Sequence, residues 1–184
     1  MADGGEKDDT YALTFGDIDN DGDLDLLAGN DNQNKLYHND GSGGFSASGQ
    51  VIGSDKDRTL AVTFADIDRD GDLDLLAGNK GQSNKLYLNN GSGNFNIAEN
   101  IGSDTDNTAS LAFGDIDGDG DLDLLTLNEK EGNQIYLNDG RGSFSDSGKV
   151  IGSKEEGTQE LTLIDIDGDG DLDVLKEYLK SNAP

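Results

Sequence analysis

The sequence predicts an all-β fold, a β-propeller of four-stranded antiparallel blades with about three and a half blades in the chain. Three observations predict it. Acidic clusters open at Asp17, Asp66, Asp115 and Asp165, at offsets of 49, 49 and 50 residues, a period that belongs to propellers and related arrays. Between the clusters, apolar residues recur at every second position, the period of strands. Asn-Gly and Asp-Gly turns then fall at matching places in the first three units, the strongest short-range hairpin signal.

The elements of a unit follow in order. The first strand is "YALTFGDI", with Leu13 and Phe15 on one face and Ala12, Thr14 and Gly16 on the other. Val62 and Phe64, Leu111 and Phe113, and Leu161 and Leu163 repeat it. Small residues opposite them suit a crowded innermost strand. An aspartate loop leads into the second strand, "DLDLLAGN", and the third carries Tyr37, Tyr87 or Tyr136. The fourth starts at Phe45, Phe95 or Phe144, beyond the turns of "NKLYHNDGSGGF", "NKLYLNNGSGNF" and "NQIYLNDGRGSF". Four such strands make one blade. The chain therefore divides into a tail (1–9), three repeats (10–58, 59–107 and 108–157) and a partial fourth (158–184). In that last unit "VLKEYLKSNAP" stands where the third and fourth strands would follow.

Each cluster reads Asp-x-Asp-x-Asp-Gly-Asp-Leu-Asp, and so many like charges predict a cation among them. The candidate ligands are Asp17, Asp19, Asp21, Asp23 and Asp25; Asp66, Asp68, Asp70, Asp72 and Asp74; Asp115, Asp117, Asp119, Asp121 and Asp123; and Asp165, Asp167, Asp169, Asp171 and Asp173. Alternate side chains at positions one, three and five converge, while the glycine at six (Gly22, Gly71, Gly120, Gly170) permits a sharp turn. Position seven offers its backbone carbonyl and position nine a further carboxylate. An all-oxygen set in a flexible loop selects Ca²⁺ over the smaller, strictly octahedral Mg²⁺, about one ion per loop and four in total. Position twelve holds Ala28, Ala77, Thr126 or Lys176 instead of glutamate, and strands flank the loop, so it is not an EF-hand. Ile18 and Leu24, with their equivalents at positions two and eight, are expected to anchor the loop in the blade.

Composition excludes several classes. With 39 acidic against 13 basic residues and a net charge of −26, nucleic acid and anionic membranes are not expected partners. No apolar run reaches membrane-spanning length. Without cysteine there is no disulfide framework and no thiol chemistry. The opening "MADGGEKDDT" has neither the basic start nor the apolar segment of a secretory signal and reads as a start on an excised domain. The one histidine, His38, stands where other units have Leu88 and Leu137 and reads as a strand-surface residue. No Ser-His-Asp or Cys-His set can be assembled around it, so an enzyme is not expected.

The stretches "FGDIDNDGDLDLL", "FADIDRDGDLDLL", "FGDIDGDGDLDLL" and "IDIDGDGDLDVL", with the tyrosine-to-phenylalanine turns, resemble the FG-GAP/VCBS repeats of integrin-alpha-type β-propellers. The match runs from Thr10 to about Lys176. The resemblance implies calcium between the first two strands of each blade, held by positions one, three, five and nine, with position seven acting through its backbone. It implies an adhesion module, a lectin or an accessory domain of a secreted carbohydrate-active enzyme, and a place outside the cell or on its surface. A structural or designed repeat fragment without a ligand of its own is the alternative. Family members usually close with seven blades, so two chains would make one ring, and a homodimer is the preferred expectation. Strand alternation puts the aspartate loops and Asn-Gly turns on one face. The loops that differ between units ("NDNQN", "NKGQSN", "NEKEGN") lie on the other, and a protein or glycan ligand is expected there or in the central channel.

Overall fold

The computed structural model describes residues 8–95, 99–102, 105–129, 132–151, 158–168 and 172–178. Among them there are strands and turns but no helix. The strands are β1 (Thr10–Gly16), β2 (Asp25–Tyr37), β3 (Gln50–Ala65), β4 (Asp74–Asn79), β5 (Asn84–Tyr87), β6 (Glu99–Ile101), β7 (Thr108–Gly114), β8 (Asp123–Asn128), β9 (Asn133–Asn138), β10 (Phe144–Ile151), β11 (Thr158–Ile164) and β12 (Asp173–Tyr178). Hydrogen-bonded neighbours are always consecutive in sequence: β1 to β6, β7 to β10, and β11 with β12. All pairings are antiparallel.

Two boundaries differ from the sequence reading. In the first unit the second and third strands run together as β2, and β3 carries the chain from the end of unit one into unit two, pairing with β2 through Gln50–Ile52 and with β4 through Thr59–Ala65. Phe45 and Phe95 do not open the fourth strand. Each makes one isolated bridge, to Asn39 and Asn89; regular pairing begins at Gln50 in unit one, and residues 96–98 of unit two lie outside the described residues. The phenylalanine opposes the turn asparagine in all three units, Phe144 facing Asn138 as Phe45 faces Asn39. Only Phe144 begins its strand as expected.

The core lies between units. Ile18, Leu27, Leu36 and Ile52 of unit one pack with Leu75, Ala77 and Tyr87 of unit two. Ile67, Leu76, Leu86 and Ile101 of unit two pack with Leu124 and Tyr136 of unit three. Unit three, through Leu125, Leu127 and Ile135, meets Leu163 and Val174 of unit four. Successive side chains of a strand point to opposite faces, so Leu75 and Leu76 face the two neighbouring units in turn. The loop anchors obey the same rule. Ile18 and Ile67 at position two are buried towards the following unit, whereas Leu73 and Leu122 at position eight pack back onto the preceding one. Hence Leu24 is 57% exposed and Ile166 is 59% exposed: each lies on the face of its unit away from the one neighbour that unit packs against. Tyr11, Leu13 and Phe15 share the first of these faces and are exposed as well.

Candidate metal centre

Every aspartate loop hangs between paired strands. The register closes Gly16 on Asp25, Ala65 on Asp74, Gly114 on Asp123 and Ile164 on Asp173, so position nine is always the first residue of a strand and cannot drift. Its carboxylate is then clamped. Asp74 accepts from the Ile67 N–H at 2.9 Å and the Asn89 N–H at 2.9 Å; Asp123 accepts from Ile116 at 2.8 Å and Asn138 at 2.9 Å. Asp25 and Asp173 accept the equivalent bond from Ile18 and Ile166.

Position one folds the loop over itself. The Gly22, Gly71 and Gly120 N–H groups donate to Asp17, Asp66 and Asp115 at 3.0, 3.2 and 3.0 Å. These glycines have φ of 92 to 94°, where a side chain would be strained. The carboxylates of Asp17, Asp19 and Asp21 converge, as do those of Asp66, Asp68 and Asp70. In the third and fourth loops Asp115, Asp117 and Asp123, and Asp165, Asp167 and Asp173, do so. In each set the ligand oxygens lie within 4.8 Å of one another. Asp169, Gly170 and Asp171 lie outside the described residues.

The electrostatics match the geometry. Burial pushes the Asp74 carboxyl up to about 6. It also raises Asp19, helped by the Asp25 and Asp21 charges, and Asp68, helped by Asp70. One oxygen each of Asp17, Asp19 and Asp66 is buried without a hydrogen-bond partner. Such acceptors are costly in a fold that holds nothing positive beside them.

Position seven does something else. The side chains of Asp23, Asp72 and Asp121 lie against the turn glycines Gly41, Gly91 and Gly140, so closely that a Cβ there would meet a carboxylate oxygen at 2.5 to 2.6 Å. The preceding unit reaches across to the second and third of them: Asn20 Nδ2 donates to Asp72 at 2.8 Å, and Arg69 forms an ion pair with Asp121 at 2.7 Å. Asp72 and Asp121 thus join units through their side chains, which leaves the backbone of position seven to the loop. Asn20 and Arg69, at position four, have φ of 61° and 63°. Sequence reasoning passed over that position, although Gly118 and Gly168 occupy it in the other two loops.

A second missed set is the turn asparagines. Asn89 Nδ2 donates to Ile18 O at 2.8 Å in the previous loop and to Leu73 O at 3.2 Å in its own; Asn138 does the same to Ile67 and Leu122. Each asparagine thus pins two aspartate loops together. Asn89→Ala would orphan buried carbonyls at a cost of about 1–3 kcal/mol, a fall of several degrees in Tm, read by calorimetry. An unchanged Tm would mean that the pin carries no load.

His38 is also not where sequence reasoning put it. It is half-buried over the first loop, its Nδ1 at 3.5 Å from both Asp19 Oδ2 and Asp25 Oδ2.

Fold and site together define an all-β repeat protein of acidic strand-loop-strand units. The chain belongs to the FG-GAP-like repeat family, whose model matches residues 17–77, 70–126 and 115–175. No curated protein matches the sequence. Among solved structures, the chain is similar to an Agrocybe aegerita lectin described for its specific recognition of non-reducing terminal N-acetylglucosamine, at 22% identity and a TM-score of 0.62 over 88% of this chain and 45% of that one. It is also similar to the V. cholerae biofilm matrix protein Bap1, at 17% identity and a TM-score of 0.52 over 92% of this chain and 28% of that one. The chain thus spans less than half the length of either.

Proposed function

We propose that the chain is a calcium-stabilised, non-catalytic binding module of β-propeller type, whose blades are the units 10–58, 59–107, 108–157 and the partial 158–184. The observation that carries this is the set of buried, partnerless oxygens of Asp17, Asp19 and Asp66 inside converging carboxylates. An all-oxygen donor set fits a hard divalent ion, which would be held by positions one, three, five and nine of each loop. The ion's part is charge neutralisation: four would take the net charge from −26 to −18. Because extracellular modules hold calcium at about 10⁻⁴ to 10⁻³ M, the proposal places the protein outside the cell or on its surface.

Isothermal titration of Ca²⁺ into the chelator-treated chain tests it, with four equivalents expected and one fewer in Asp66→Asn. Absence of binding, or an Asp21→Ala chain that melts like wild type in both calcium and chelator, would overturn it. For the ligand, a protein or glycan is proposed, and the lectin among the structural neighbours supports testing glycans first. A glycan array probed in calcium gives a hit under this reading, and uniform silence favours a structural array.

The exposed face of Tyr11, Leu13, Phe15 and Leu24 suggests self-association. Its counterparts Val62, Phe64 and Leu73 in unit two pack on a preceding unit, so a second copy is the proposed occupant, in keeping with a seven-bladed ring. That joint cannot simply repeat the internal ones. Ile164 stands where Gly16 and Gly114 leave room for the next unit's side chains. Sedimentation velocity in calcium is expected to give a dimer, and Leu13→Ser with Phe15→Ser a monomer. A monomeric wild type would remove the ring.

A further inference from the structure

We infer that the first loop carries a second kind of metal site, in which His38, Asp19 and Asp25 take a first-row transition ion such as Zn²⁺ or Cu²⁺. The geometry is that of a nitrogen-oxygen site waiting for a small ion. His38 Nδ1 lies 3.5 Å from Asp19 Oδ2 and 3.5 Å from Asp25 Oδ2, and the three donor atoms lie within 4.8 Å of one another. A hydrogen bond would be shorter, near 2.9 Å. With metal-ligand bonds of about 2.0–2.2 Å, two donors of a tetrahedral ion stand roughly 3.3–3.6 Å apart, which is the spacing from Nδ1 to each of the two carboxylates.

The ring is held in place from its far side. Gln50 Nε2 donates to Gly93 O at 3.0 Å, which turns Gln50 Oε1 towards His38 Nε2 at 3.2 Å. In the tautomer that donates Nε2–H to this acceptor, the Nδ1 lone pair faces the two carboxylates. Nδ1 is buried with no hydrogen-bond partner, as is Asp19 Oδ1. Metal-binding histidines are oriented in this way, through the second ring nitrogen. Gly93 of the next unit closes over the imidazole, where a Cβ would come to 2.8 Å from His38 Cε1. Asp25 is pinned from behind by the Asn39 N–H at 2.8 Å.

Units two and three have Leu88 and Leu137 in place of His38, and Glu99 and Lys149 in place of Gln50. Ligand and orienting residue are therefore replaced together. The donor set differs from the all-oxygen loops in the property that separates metals: imidazole suits Zn²⁺, Cu²⁺ and Ni²⁺, whereas carboxylates alone suit Ca²⁺. Asp19 and Asp25 belong to both sets, so the two ions compete for loop one and for no other loop. The inference stands even if loops two to four hold no calcium.

Composition makes the test clean, because the chain has one histidine and no cysteine. Cu²⁺ added to the chelator-treated chain is read by pulsed electron paramagnetic resonance, where the remote nitrogen of a bound imidazole gives a distinct modulation. Zn²⁺ affinity is read in parallel by calorimetry. Wild type is expected to show the modulation and one Zn²⁺ site that excess Ca²⁺ weakens. His38→Leu, which installs the residue type of the other units, is expected to lose the modulation and at least about tenfold in Zn²⁺ affinity, with binding of Ca²⁺ to the remaining loops unchanged. Gln50→Leu, which leaves all three ligands in place, should weaken Zn²⁺ by a smaller factor. Two results would overturn the inference: no imidazole modulation in wild type, which means that the contact is only an imidazole beside carboxylates, or full modulation and unchanged Zn²⁺ affinity in Asp19→Asn, which means a lone surface histidine.

Discussion

In 10 mM calcium at pH 7.5 the chain is expected to melt about 10 °C or more above its Tm in excess chelator. Sites of 10⁻⁴ to 10⁻³ M dissociation constant at that concentration each add roughly 1.4–2.7 kcal/mol. The three fully described loops together add about 4–8 kcal/mol, and a chain of this size gains about 2–4 °C for each kcal/mol. The gap should close on acidification, from both sides. In chelator, Asp74 has a folded-state pKa raised by burial to about 6, from 3.8. A raised carboxyl contributes stability that is complete below pH 3.8 and lost as pH rises through 6. The metal-free chain therefore gains stability on going from pH 7.5 towards pH 5, and Asp19 and Asp68, raised by burial and by like charges, act in the same direction. In calcium the sign reverses, because protons compete for the same oxygens. Scanning calorimetry at four pH values in both conditions reads this directly. A gap that is absent at pH 7.5, or that widens towards pH 5, would mean that the loops are acidic surface and not ion sites.

The loops were legible in the sequence because the physics that makes them is local. Nine residues fix the alternation of carboxylates, the glycine turn at position six and the strand that begins at position nine, and the same nine residues recur almost unchanged. The strand meander was legible for a similar reason, since alternation and Asn-Gly turns are read within a hairpin. What escaped was everything that one unit does to the next. Leu24 and Leu73 occupy one place in the motif, yet the first is exposed and the second packs on unit one. Nothing within a unit says that position eight points backwards. Asn89 and Asn138 were visible as turn residues, but their bonds to Ile18 O and Ile67 O join residues 71 apart. His38 was read as surface because its counterparts are leucines on a strand; only the partner residues Asp19, Gln50 and Gly93, from three places in the chain, reveal where the ring sits. The left-handed position four had a signal, two glycines and an asparagine in four loops, and Arg69 obscured it.

If the core lies between units, the same substitution should cost very different amounts in different copies of the repeat. Leu26, Leu75 and Leu124 each follow the position-nine aspartate. Leu75 and Leu124 are fully buried, the first against Ile18, Leu27 and Leu36 of unit one, the second against Ile67, Leu76 and Leu86 of unit two. Leu26 points towards the outer face of unit one and is half-buried. Deleting a fully buried leucine side chain costs about 2–5 kcal/mol, because the lost transfer energy is joined by a cavity that neighbours cannot fill. Leu124→Ala and Leu75→Ala are therefore each expected to lower Tm by about 10 °C, whereas Leu26→Ala, at a concentration where the chain is monomeric, should cost less than about 1 kcal/mol. Chemical denaturation of the three variants in the same buffer provides the comparison. In an array whose stability is a sum of unit and nearest-neighbour contributions, the two large losses also mark two different joints, so Leu75→Ala with Leu124→Ala should be near additive. Equal losses at all three positions would place the core inside each unit instead, and would remove the physical reason for the exposed Leu13 and Phe15 to seek a partner.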